Sequence, residues 1–162
     1  MQGIIYQINI KPQTLNERGM PKLPVDSCKI MLQGLEGDFN KYRSEKKQND
    51  PDNAVLIMPL EMILILNAEG WPIRPGHVGE NLTTEGIHYD SFAVGNKYRV
   101  GEAILQISNP CTPCRNLHIL PYVGEEKAPL FIKTLINRRG WYARVLQEGL
   151  VKKGDTISEL SD

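Results

Sequence analysis

The chain has 162 residues, 41% of them apolar, which suits one sizeable core and is too hydrophobic for a disordered polymer. Lysine and arginine (19) balance aspartate and glutamate (19), so no global field draws the chain to nucleic acid or an anionic membrane, and only a local positive pocket stays open. The start MQGIIYQINIKPQ lacks the marks of a secretory signal, the apolar stretch 60–66 is far too short to span a bilayer, and three cysteines cannot all pair, so a reducing cytoplasm with free thiols is the expected setting.

In chain order, IIYQINI (4–10) reads as a first strand. VDSCKIML (25–32) alternates, with Asp26, Cys28, Ile30 and Leu32 on one face. The charged stretch 40–53, NKYRSEKKQNDPDN, lacks periodicity and reads as a solvated loop, with a lid over a site as the functional alternative. AVLIM (54–58) is a continuous apolar run. A helix follows over 59–69, with proline at its first position and Gly70 as its stop; apolar residues nearly encircle it, so burial on most sides is expected. SFAVG, NKYRVG and EAILQIS (91–108) read as strands joined by turns at Gly95-Asn96 and Gly101-Glu102. A second helix is expected over 129–139, ended by Gly140, with Arg138 and Arg139 complementing its dipole. WYARVLQEG (141–149) and DTISEL (155–160) close the chain around a turn at Lys153-Gly154. Many strands and few helices predict a mainly β fold, a closed or partly closed β-barrel in one domain over 1–162, with helices at its ends.

Three stretches carry chemistry. NPCTPCRNL (109–117) holds two of the three cysteines. A structural zinc site wants a second ligand pair, whereas His77, His88 and His118 are scattered singly. A redox dithiol wants a helix after the second cysteine, and Pro121 and Gly124 leave room for little more than a turn. The remaining readings of Cys114 are an activated sulfur, its thiolate favoured by the charge of Arg115, and a small buried hydrophobe. In PGHVGENLTTEGI (75–87), Gly76, Gly79 and Gly86 permit positive φ and close approach, so successive N–H groups can face one anion beside Glu80 and Asn81; plain turns are the alternative. QGLEGDFN (33–40) offers Asp38 as a turn cap or as a second pocket wall.

Together, GMPKLPV (19–25), GLEGD (34–38), GHVGENLTTEGI (76–87), VGNKYRVGEAILQIS (94–108), PCTPC (110–114) and GWYARVLQEGLVKKGD (140–155) resemble the MOSC family in order and spacing. That family is named for the C-terminal domain of molybdenum-cofactor sulfurases, and it also occurs as small stand-alone proteins and in the mitochondrial amidoxime-reducing component. The resemblance implies a β-barrel, a pterin-type molybdenum cofactor (molybdopterin), and Cys114 as the working sulfur, either persulfide carrier or metal ligand. Cys111 falls where many relatives carry arginine. The resemblance further implies cofactor contacts from Gly79, Glu80 and Asn81, from the Asp38 segment, and from Arg115 and Arg144. Relatives acting as reductases tend to carry histidine after Gly-Asp and in a His-Gly-Gly element; this chain has Phe39-Asn40 and NDPDNAV (49–55) instead. The chain also leaves no room for a pyridoxal-phosphate desulfurase domain, so the expectation is that sulfur, if carried, is loaded by a separate donor protein. Three functions follow from the resemblance: a cofactor-binding or sulfur-carrying domain, a molybdenum-dependent reductase of N-hydroxylated compounds supplied by an electron-donor protein, and a non-catalytic interaction module.

Overall fold

The computed structural model describes residues 1–161. Its strands are β1 (Gln2–Ile10), β2 (Leu23–Val25), β3 (Ser27–Met31), β4 (Gly34–Leu35), β5 (Val55–Pro59), β6 (Leu82–Glu85), β7 (Lys97–Val100), β8 (Ala103–Pro110), β9 (Trp141–Gln147), β10 (Gly149–Lys152) and β11 (Thr156–Leu160), and its α-helices are α1 (Lys41–Lys46), α2 (Leu60–Ala68) and α3 (Gly124–Leu135). The larger sheet runs β11-β7-β8-β9-β5-β6-β1, and a further β1–β11 pairing closes it into a seven-strand barrel, with β2 hydrogen-bonded to the far end of β1. The expected mainly β barrel is thus the observed architecture. A small sheet, β10-β3-β4, sits beside the barrel, and its inward residues Cys28, Ile30, Leu35 and Val151 join the barrel core.

Closure depends on the length of β1. Gln2 to Ile4 pair with β11, Ile4 to Ile8 with β6 across an irregularity between Ile5 and Gln7, and Ile8 to Ile10 with β2. A local irregularity of this kind bends a strand, which lets one strand serve three neighbours. β5 is buried on both faces because Ile57 packs into the barrel while Met58 packs outward under the helices. This matches the unbroken apolar run, and the β5–β6 pair is parallel, as doubly covered strands tend to be. The outer cluster gathers Met58, Ile63, Leu66, Val78, Leu117, Phe131 and Leu135, and Trp141 packs against both clusters.

Four local expectations change. α2 buries one stripe, Ile63 and Leu66, in the outer cluster, while Leu64 and Ile65 on its other side are about half exposed. α3 begins at Gly124 rather than at Pro129, which lies inside it; Glu125 and Glu126 occupy its first turn, where they complement the dipole. Arg138 and Arg139 therefore lie beyond the helix. Residues 91–95 form a short 3-10 turn (Tyr89–Ser91) and irregular chain rather than a strand, although the turn after β7 is where it was expected. The 40–53 stretch is not a bare loop. Asn40 caps α1 by accepting from the Arg43 amide, and Arg43 itself donates to the carbonyls of Asn53 and Ala54.

Candidate functional site

β8 ends at Pro110, and residues 111–114 run from it into the 3-10 turn Arg115–Ile119. This path puts Cys111 inside the protein, 2% exposed, and Cys114 at its edge, partly exposed. The chain between α3 and β9 brings the decisive partner. Gly140 adopts φ +105°, and a Cβ there would stand 2.4 Å from the Ile57 carbonyl oxygen, so only glycine allows the chain to turn into β9 this close to β5. That turn directs Arg139 inward, where it is 5% exposed. Its Nε and Nη2 donate to the Val78 carbonyl at 3.3 and 3.1 Å, and its Nη1 donates to the Thr112 carbonyl at 3.2 Å and to Cys114 Sγ at 3.5 Å. Burial works against the charge, attraction to the neighbouring sulfurs and Tyr142 oxygen in their ionised forms works for it, and the guanidinium, which keeps its proton, stands as a cation beside the sulfur.

Cys114 opens onto a pocket of about 230 Å³. Arg18, Lys47 and Arg139 supply three cations, Asn40, Asn53, Asn109 and Asn116 supply amides, and among the described residues no carboxylate lines it. Tyr42 of α1 and Tyr142 of β9 both line it, so the charged stretch read as a loop or lid contributes to the pocket wall. Cys111 lies behind this pocket beside Tyr142; burial pushes its thiol up, and Arg139 and Tyr142 pull the other way. Cys28 is also raised by burial, at the barrel end. Among the described residues no group of three histidine, cysteine or carboxylate side chains converges as a metal cluster.

The other expected residues fall elsewhere. Arg115 does not face the sulfur: its guanidinium is 79% exposed and pairs with Glu125 at 3.1 Å. Arg144 pairs with Asp52 at 2.9 Å, outside the pocket lining. The glycine-rich segment forms an anion nest, but the chain's own carboxylate fills it. Gly76 N–H donates to Glu80 Oε1 at 2.6 Å, and the Glu80 amide also bonds this carboxylate. Gly79 N–H goes to the Gly76 carbonyl and Asn81 N–H to Leu56. These amides are therefore not free for a ligand. Glu80 is fully buried, and burial raises it to about 7. Asn81 donates to Asp38 Oδ2 at 2.8 Å, and Asp38 forms a buried ion pair with Lys22 at 2.7 Å. Gly79, Glu80, Asn81 and Asp38 thus build the layer behind the pocket, whose link to the site is the Val78 carbonyl holding Arg139. Arg139 itself was read as a helix-end charge. The signal that could have found it is Gly140, whose positive φ turns the chain sharply against β5 and directs the residue before it inward.

A closed barrel that presents one partly exposed cysteine to a basic, carboxylate-free pocket defines the class of this protein. The chain belongs to the MOSC domain family: the family model matches residues 44–158. It is 30% identical over 171 aligned positions to the protein YflK of Bacillus subtilis (strain 168), covering 97% of this chain and 73% of YflK. A protein named as a reductase from Gibberella moniliformis is 38% identical over 88 residues, which are 52% of this chain but 15% of the reductase. The crystal structure of YiiM from Geobacillus stearothermophilus superposes with a TM-score of 0.73 at 29% identity, covering 98% of this chain and 75% of that one. No helix among the described residues is long and apolar enough to cross a membrane.

Proposed function

We propose that this protein holds a molybdopterin-type cofactor in the Cys114 pocket and carries sulfur to it on Cys114. The observation that carries this reading is the buried Arg139 guanidinium bonded to a partly exposed sulfur at the edge of a pocket without carboxylates. The donor set suits such a group. A thiolate is a soft ligand for molybdenum, cations match a phosphate, and amides can pair with the polar edge of a pterin. When bound, the cofactor supplies a thiophilic, redox-active metal. The chain's own part is electrostatic and positional: Arg139 stabilises negative charge on the sulfur, and Tyr42 and Tyr142 close the walls around it. Metal and pterin analysis of protein from a molybdenum-replete host, with mass spectrometry for an added sulfur on Cys114, tests both halves. Cofactor and added sulfur lost together in Cys114→Ser support the reading, and a parent with neither refutes it.

A second reading is favoured by the similarity to a protein named as a reductase. Here Cys114 serves as a standing metal ligand, and electrons come from a donor protein. Reduction of an N-hydroxylated base by the molybdenum-loaded chain with a chemical electron donor selects this reading over the carrier.

A further inference from the structure

Cys114 faces a second space. An outer groove of about 510 Å³ shares Arg18, Tyr42, Cys114 and Asn116 with the inner pocket and adds Lys41, Lys46, Arg115 and Glu45. Its volume is that of a small-molecule site, several hundred Å³. Its charge is lopsided, four cations to one carboxylate, in a chain whose totals balance at 19 and 19. The cleft on the other side of α1 differs in sign, with Glu36, Asp38 and Glu148 against Arg43. Positive charge is therefore concentrated where the sulfur is reachable from outside. Two carboxylates temper it: Glu45 lies 3.8 Å from Lys41, and Glu125 bonds Arg115 and also approaches His118 at 3.4 Å. Exposed pairs of this kind are weak, and Lys46 forms no ion pair among the described residues.

We infer that the outer groove is a binding site for small anionic sulfur compounds, and that Lys41, Lys46 and Arg18 select them by charge while Cys114 receives their sulfur. The inference rests on the carrier reading only for the identity of the sulfur delivered; the charge selection stands on the groove itself. With a persulfide donor, Cys114 Sγ attacks the outer sulfur of R–S–SH, the donor S–S bond breaks, and a new S–S bond forms on Cys114. The donor leaves as the thiol RSH, taking the proton that Cys114 gives up. One persulfide is consumed and one is made, so no oxidant or reductant is required. With a disulfide donor the same attack gives a mixed disulfide and releases one thiol.

The test compares two chromogenic aromatic disulfides, one with a carboxylate on each ring and one an uncharged dipyridyl, with labelling mapped to Cys114. The parent should react faster with the dianion, relative to the two reagents' rates with a free thiol. Lys41→Glu with Lys46→Glu should lower the dianion-to-neutral rate ratio about tenfold at low salt, with the contrast shrinking toward 0.5 M salt. The neutral reagent should react with parent and variant equally, which shows the pocket intact. An unchanged ratio, or an equal loss with both reagents, overturns the inference. Failure of Cys114 to take sulfur from any persulfide, with the ratio still falling, would sink the carrier reading and leave the groove assignment standing.

Discussion

Arg139→Met removes the cation and all its donors while keeping a similar side-chain length. Two consequences separate. The Val78 carbonyl is buried and accepts two bonds from Arg139, so leaving it without a partner costs about 1–3 kcal/mol, and loss of the Thr112 contact adds about 0.5–1.5 kcal/mol. Relief of a buried charge offsets part of this, so a net loss of about 2–3 kcal/mol is expected, or roughly 4–12 °C in the melting midpoint for a chain of this size. The second consequence is chemical. A unit charge 3.5 Å from an anionic sulfur contributes about 1.2 kcal/mol even at the dielectric constant of water, and more as the site excludes it. Alkylation of Cys114 by a neutral haloacetamide at fixed neutral pH should therefore slow about tenfold or more. Arg139→Lys keeps the charge without the planar fork, so it should recover more of the alkylation rate than of the melting midpoint. Alkylation of Arg139→Met at the parental rate, despite lowered stability, would show that Arg139 only braces the loop and has no bearing on the sulfur.

Glu80 is raised to about 7 in the folded protein, above its unfolded value, so its contribution is fully present below about pH 4.5 and is lost as pH rises through 7. Denaturant unfolding should show up to about 3 kcal/mol of this loss, and Glu80→Gln, which keeps the acceptor for Gly76 and Thr83, should flatten the slope and be the more stable protein at pH 8. In the native protein Cys114 should label before Cys28 and Cys111, both of which are buried with raised thiols; peptide mapping that finds Cys28 first would reverse the assignment. Cys111→Ser should retain the added sulfur on Cys114 and Cys114→Ser should lose it, whereas equal losses under reducing conditions would mean that the pair acts as a unit. Gly140→Ala should destabilise by about 2 kcal/mol or more, read by thermal melting, because its Cβ would overlap the Ile57 carbonyl in a backbone region that strains L residues.

The barrel was legible because its strands declare their faces. SCKIM alternates between exposed and buried in register with its sequence, and AVLIM is apolar throughout because both of its faces are covered. β6 was less legible, since Thr83 and Thr84 are polar yet wholly buried, and Thr83 reconciles this by accepting from distant Asn9 and donating to Glu80 three residues before it. Proline misplaced α3: local rules put Pro129 at a helix start, whereas packing of Ala128, Phe131 and Leu135 holds the helix through it. Cys114 was readable from its motif. The pocket around it was not, because Arg18, Tyr42, Asn53, Asn109 and Arg139 come from five separate segments whose meeting depends on barrel closure. Glycine spacing suggested an anion nest at Gly76 and Gly79. The spacing could not reveal that the anion would be Glu80 of the same chain.

The two cysteines of PCTPC differ by environment more than by sequence. The backbone from residue 111 to 114 is irregular, with Cys114 extended at φ −132° and ψ 166°, and the two thiols sit in different surroundings. Cys111 points into the wall, beside Tyr142 and held up by burial, while Cys114 stands where two spaces meet. A dithiol needs both sulfurs near one exchangeable position, and a zinc site needs further ligands, which no cluster among the described residues provides. Arg139 suits a single acting sulfur, because its hydrogen bond goes to Cys114 and its remaining donors are committed to Val78 and Thr112. The Thr-Pro spacer thus separates a buried thiol from an accessible one. The same short segment supplies both a piece of the pocket wall and its one reachable nucleophile.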